Sequence, residues 1–114
     1  YDPPEPFRSQ YRDNLYQGEV AFVDAQMADL MASFRAAAAA AGREAAIIVV
    51  SDHGEGLGDH GEALHGHLVY QPTMRVPLAM AGPGVAPGSV DTPVSVRRLF
   101  HTILDWAGQP SAES

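Results

Sequence analysis

Cysteine is absent from the 114 residues, which excludes a disulfide framework and any thiolate metal site within the chain. Positive charge is scarce. Lys and Arg number 7 against 14 Asp and Glu, a formal net charge of −7, which is a poor balance for gripping a nucleic-acid backbone. Long apolar runs are missing too. A membrane-spanning helix takes about 20 consecutive apolar residues, and the alanine run Ala36 to Ala41 is too short and too weakly hydrophobic. The chain opens at Tyr1 with neither an initiator methionine nor a signal-peptide pattern. The expectation is therefore a piece of something longer, with its compartment left open. The length suits one domain or part of one.

What is present is concentrated in one place. Residues 51 to 62 read Ser-Asp-His-Gly-Glu-Gly-Leu-Gly-Asp-His-Gly-Glu, directly after the apolar run Ala45 to Val50. That run predicts a strand over Ala45 to Ser51, buried on both faces as in a parallel sheet. It delivers Asp52 and His53 to a glycine-rich loop, where backbone can bend closely around an ion. Four of the five histidines (His53, His60, His65 and His67) fall between positions 53 and 67, and loops rather than cores carry function. The Asp-His-Gly-Glu string occurs at 52 and again at 59, too short a recurrence for a structural repeat.

Around the loop the pattern is helical. Residues 1 to 14 hold three prolines and several charges and predict an extended lead-in segment. From about Tyr16, Val20, Val23, Met27, Leu30, Met31 and Phe34 recur at helical spacing, with polar residues between them. They predict an amphipathic helix that packs one stripe on a sheet, with Glu19 in its first turn and Gly42 as its stop. A second strand is predicted over Arg75 to Ala81, its proline marking an edge or a start, followed by a Gly82-Pro83-Gly84 turn. A closing helix is predicted from Val96 to Ala107, with Ser95 as N-cap, Gly108 as stop and Val96, Leu99, Phe100, Ile103 and Leu104 on its apolar stripe. This order belongs to an α/β layer protein, a mixed or parallel sheet flanked by helices.

In such sheets ligands bind at the carboxyl ends of strands, which is where Asp52 and His53 stand. A carboxylate beside an imidazole suits zinc, manganese or iron, while calcium favours more oxygen donors. Two adjacent residues do not complete a site of four to six donors. The plain alternative is that Asp52 caps a turn and His53 is solvated. His60 is balanced between the ligand shell and a loop hydrogen bond. Of His65 and His67, at most one is expected to face the site. Glu55 and Glu62 read as residues that shape the loop or support the ligands rather than as general acids. Arg75 is either an anion clamp or an ion-pair partner, and His101, beside Phe100, reads as structural. The loop glycines form no nucleotide-binding fingerprint, which should open a helix.

The strings IIVVSDHGEGLGDHGE and HGHLVYQPTMRVPLAMAGPGV, with YQGEVAFVDAQMADLM before them and VSVRRLFHTILDWAG after, resemble the C-terminal part of the sulfatase catalytic domain. That family lies in the alkaline phosphatase superfamily. The resemblance covers nearly the whole chain and implies an alkaline-phosphatase-like α/β fold. It implies that Asp52 and His53 coordinate a divalent cation (calcium, or manganese or zinc). It implies further that His65, with His67 as competitor, contacts the sulfate or phosphate group, stabilising an oxygen or protonating the leaving alcohol.

The activity implied is metal-assisted hydrolysis of a sulfate ester on a small molecule or glycan. The family's nucleophile is formylglycine, made within a Cys/Ser-x-Pro-x-Arg motif that this chain does not contain, and it is expected in an N-terminal part, together with two acidic ligands. Many arylsulfatases carry Asp-Asn where this chain has Asp-His, which shifts the expectation towards phosphate or phosphonate esters. His101 and Arg98 stand where relatives often have Pro and Asp, away from the chemistry. A non-catalytic metal-binding or interaction module is the reading from another class.

Overall fold

A computed structural model describes residues 1–67 and 69–109. The chain divides into two compact units, Tyr1–Ile47 and Ile48–Ser114.

The first unit is built on helix α2. After the short helix α1 (Phe7–Gln10), α2 runs over Leu15–Ala40. Asn14 caps it by accepting the Gln17 N–H at 3.2 Å, which satisfies one of the amides a helix start leaves unpaired. Its end is the glycine stop expected from sequence. Gly42 adopts φ +66, and the Arg43 N–H turns back to the Ala38 carbonyl at 2.9 Å.

The lead-in segment is not simply extended, which corrects the expectation. Pro3 is the largest fully buried side chain, and it lies where a Cβ on Gly18 would meet its Cγ at 2.8 Å. A glycine inside the helix thus costs some helix propensity and opens a seat for the incoming chain. The Asp2 N–H donates to Glu19 Oε1 at 2.6 Å, Arg8 pairs with Asp2, and Phe7 meets Phe22 edge to face at 5.7 Å between centroids.

The stripe predicted to pack on a sheet is open within this unit. Val20, Val23, Leu30 and Phe34 are each at least half exposed, and among the described residues no aliphatic or aromatic side chain other than that of Pro3 is buried.

The second unit carries a two-stranded sheet of β1 (Ile47–Val50) beside β2 (Leu78–Ala81), β1 starting at the last residue of the first unit. Where the sequence predicts a mixed or parallel sheet, the described residues form one strand pair, and the burial of β1 on both faces is corrected. With one neighbouring strand its residues are partly exposed, and Val50 is 40% exposed. Pro77 sits just before β2, where a missing amide breaks no ladder bond. The Gly82 turn closes as expected, with the Val85 N–H on the Gly82 carbonyl at 3.2 Å.

The predicted closing helix divides into a 3₁₀ turn, Val96–Arg98, and α4, Leu99–Trp106. Ser95 precedes the turn without making a side-chain cap. Gly108 (φ +66) ends α4. Phe100 and Ile103 from its stripe are 64% and 51% exposed.

Candidate functional site

The loop after β1 is held by backbone rather than by apolar packing. Gly54 N–H reaches the Thr73 carbonyl at 2.8 Å and Gly56 N–H the Leu64 carbonyl at 2.7 Å. The second Asp-His-Gly-Glu string folds as a 3₁₀ turn, Asp59–Gly61, with His60 in the left-handed region at φ 53. The turn is closed by Glu62 N–H to the Asp59 carbonyl at 3.0 Å and Gly58 N–H to the Glu62 carbonyl at 2.8 Å. A short helix the sequence did not announce, α3 (Gln71–Met74), follows Tyr70. Thr73 Oγ1 accepts the Tyr70 N–H at 3.4 Å and donates to the Tyr70 carbonyl at 3.1 Å. The signal was present in Tyr-Gln-Pro-Thr, a proline in a first helical turn followed by a hydroxyl that reaches back.

On this scaffold Asp52 and His53 stand together. The Asp52 carboxylate is 87% exposed and its Oδ1 lies 3.8 Å from His53 Nε2. The same oxygen accepts the His53 backbone N–H at 3.0 Å, and Ser51 Oγ donates to the His53 carbonyl at 2.7 Å. His53 Nδ1 is 2.8 Å from the Gly54 carbonyl oxygen. A carbonyl only accepts, so Nδ1 carries the proton and Nε2 keeps its lone pair. Fixing one ring nitrogen on a carbonyl is how a metal-binding histidine is oriented.

Donors bound at about 2.0 to 2.4 Å can stand up to roughly 4 to 5 Å apart around one cation, so a separation of 3.8 Å fits two ligands of a shared ion. The donor chemistry fits as well. No group of three or more His, Asp or Glu residues able to hold a metal occurs among the described residues.

His65 joins this pair. Its ring stacks on His53 with centroids 3.8 Å apart and planes inclined by 29°, and its Nδ1 is 3.2 Å from Glu55 Oε1. An ionised Glu55 only accepts, which puts the proton on Nδ1 and leaves Nε2 for another partner. His67 enters differently, through its backbone N–H, which donates to Glu62 Oε1 at 2.8 Å. His60 sits away from this stack: its Nδ1 is 3.1 Å from Asp59 Oδ1 and its ring tilts against Tyr70 at 4.6 Å.

The Tyr70 hydroxyl donates to the Asp59 carbonyl at 2.9 Å. Loss of solvent and then the neighbouring Glu62 carboxylate, with smaller effects of Asp59 and Glu55, raise its pKa above the ordinary phenol value. Arg75 is exposed at the end of α3. His101 keeps a buried Nδ1 without a hydrogen-bond partner and meets Phe100 edge to face.

Comparison with known proteins identifies a family. The profile of the family described as Sulfatase matches residues 2–109. Over 62 residues the chain is 42% identical to a choline-sulfatase of Rhizobium meliloti (strain 1021), covering 54% of this chain and 12% of that protein. Over 97 residues it is 30% identical to arylsulfatase K of Danio rerio, covering 84% of this chain and 18% of that protein. It is 38% identical over 65 residues to the human arylsulfatase K. The chain thus spans less than a fifth of the length of these relatives. No solved structure matches it.

Proposed function

Because the chain belongs to the sulfatase family, we propose that it forms one wall of the active site of a sulfuric ester hydrolase, as the C-terminal part of an alkaline-phosphatase-like catalytic domain. The observation that carries this reading is the arrangement at the end of β1: Asp52 and His53 with donors 3.8 Å apart, and the His65 ring stacked on His53. Asp52 Oδ and His53 Nε2 are the atoms that would hold a divalent cation, calcium or manganese or zinc. Further ligands would come from residues outside this chain. When bound, the cation supplies charge neutralisation at the transferring sulfuryl group and activation of the nucleophile.

The chain's own residues do the rest by placement. The Gly54 carbonyl holds the His53 ring so that its lone pair faces the Asp52 side. Glu55 accepts from His65 Nδ1–H, and with a second proton on Nε2 the ring would donate to an ester oxygen or the leaving oxygen. The nucleophile is expected to be a formylglycine elsewhere in the protein, since the chain has neither cysteine nor a Ser-x-Pro-x-Arg string. The substrate would be a sulfate ester of a small molecule or glycan, in keeping with relatives named for choline-sulfate and aryl-sulfate hydrolysis. The Asp-His pair favours one second reading, a phosphodiesterase or phosphonate monoester hydrolase of the same superfamily.

The test uses the full-length enzyme. Asp52→Ala and His53→Ala are each expected to lower aryl sulfate turnover at least about a hundredfold, the upper scale known even for partners of metal ligands, with matching loss of bound metal measured by elemental analysis. Near-native turnover and metal content in either variant overturns the assignment. Turnover of an aryl phosphate well above that of the aryl sulfate by the unaltered enzyme moves the conclusion to the second reading.

A further inference from the structure

We propose that Glu62 is a positioning residue whose carboxylate fixes the path of residues 62–67 so that the His65 ring lands on His53. The proposal rests on the reading of His53 and His65 given above and deepens it.

Glu62 is 7% exposed, and Thr73 at the far end of the same stretch is the other buried polar residue among those described. A carboxylate withdrawn from water is costly unless donors surround it, so its burial marks a place where the backbone brings donors to it. Glu62 Oε1 accepts the His67 N–H at 2.8 Å. Its own N–H and carbonyl close the turn onto Asp59 and Gly58. The Tyr70 phenol donates its proton to the Asp59 carbonyl and has the Glu62 carboxylate as a neighbour, whose charge helps to raise its pKa. Thr73 then clamps Tyr70 from the other side.

His65 is therefore carried on a span anchored at both ends: before it by the Glu62 turn, after it by the His67 amide and Tyr70. Gly66, at φ +104, reverses the chain between these anchors, a conformation that glycine adopts without strain. Glu62 spends its carboxylate on the His67 amide inside the loop. It acts through His65, by holding the span short.

The test measures aryl sulfate turnover and metal content of the full-length enzyme for His65→Ala, Glu62→Ala, Glu62→Gln and the double variant Glu62→Ala/His65→Ala. Glu62→Ala is expected to lower kcat about tenfold or more, the scale for groups that orient an active-site residue, with KM and bound metal within about twofold of the unaltered enzyme. Glu62→Gln is expected to restore kcat to within about threefold, because its amide oxygen still accepts from His67. The double variant is expected to be no slower than His65→Ala alone, since residues acting through one another are not additive.

Full kcat in Glu62→Ala alongside a slow His65→Ala refutes the positioning role and leaves the reading of His65 standing. Additive losses in the double variant refute it as well. Full turnover in His65→Ala refutes the reading of the site, and the positioning role with it. If Glu62→Ala does not fold, Tyr70→Phe takes its place: a fall in kcat that is not additive with His65→Ala supports the latch, and an additive fall or none refutes it.

Discussion

Gly56→Ala tests whether the glycines of this loop are there for approach rather than for flexibility. Gly56 is buried, and a Cβ built on it would lie 2.5 Å from the Glu62 carbonyl oxygen, 2.6 Å from the Leu64 carbonyl oxygen and 2.9 Å from the Tyr70 hydroxyl. Two of these neighbours are backbone atoms of the span that carries His65, so neither yields by a rotamer change. Relief to an ordinary contact near 3.4 Å needs the span to retreat by about 0.8 to 0.9 Å, a displacement on the scale that over-packed interiors resist at roughly 1 to 3 kcal/mol. The same movement pulls the Leu64 carbonyl off the Gly56 N–H, now at 2.7 Å, at a further cost of about 0.5 to 1.5 kcal/mol.

Together these amount to about 2 to 4 kcal/mol of local stability, which corresponds to loop amides exchanging with solvent about thirtyfold to a thousandfold faster. The assay is hydrogen–deuterium exchange on the full-length protein, reading peptides across 54–67. Gly88→Ala is the control, because nothing lies within 4 Å of a Cβ there and no positive φ is involved. Protection in Gly56→Ala equal to that in Gly88→Ala would refute the close-approach argument.

Two further outcomes are expected, beyond those attached to Asp52, His53 and Glu62. Tyr70 titrates above the ordinary phenol value of 10.0, so the folded chain holds that proton more tightly than the unfolded chain. The stabilisation linked to it is complete below the unfolded pKa and is lost as pH rises through the raised folded one. Ultraviolet titration should show a late phenolate component that disappears in Tyr70→Phe, and identical alkaline curves would contradict the placement of Tyr70 beside Glu62. The 114 residues alone, supplied with calcium, manganese or zinc, are expected to give no hydrolysis of an aryl sulfate or aryl phosphate. Metal-dependent turnover by the isolated chain would overturn the view that nucleophile and remaining ligands lie elsewhere.

The sequence by itself determined the main local elements and marked the candidate loop. Periodicity located α2, glycines at 42 and 108 stop helices as expected, and the change from an apolar run to Ser-Asp-His-Gly marked where β1 ends. These are properties of neighbouring residues, and hydrogen bonding over five residues or fewer is enough to enforce them. The docking of Pro3 against Gly18 was not legible, since a proline-rich stretch carries no sign of the surface it will meet. The burial of whole faces was overestimated for a similar reason: an apolar stripe on α2 or α4 states what it could bury, and only partners in space decide whether it does.

The two Asp-His-Gly-Glu strings make the same point within one loop. Four identical residues end as an exposed Asp-His pair with Glu55 reaching His65, and as a 3₁₀ turn with Glu62 buried under a backbone amide. Tertiary structure alone separated them, and with them His65 from His67. The contacts that decide join residues five to ten positions apart across a reversing chain, a range over which no local periodicity operates.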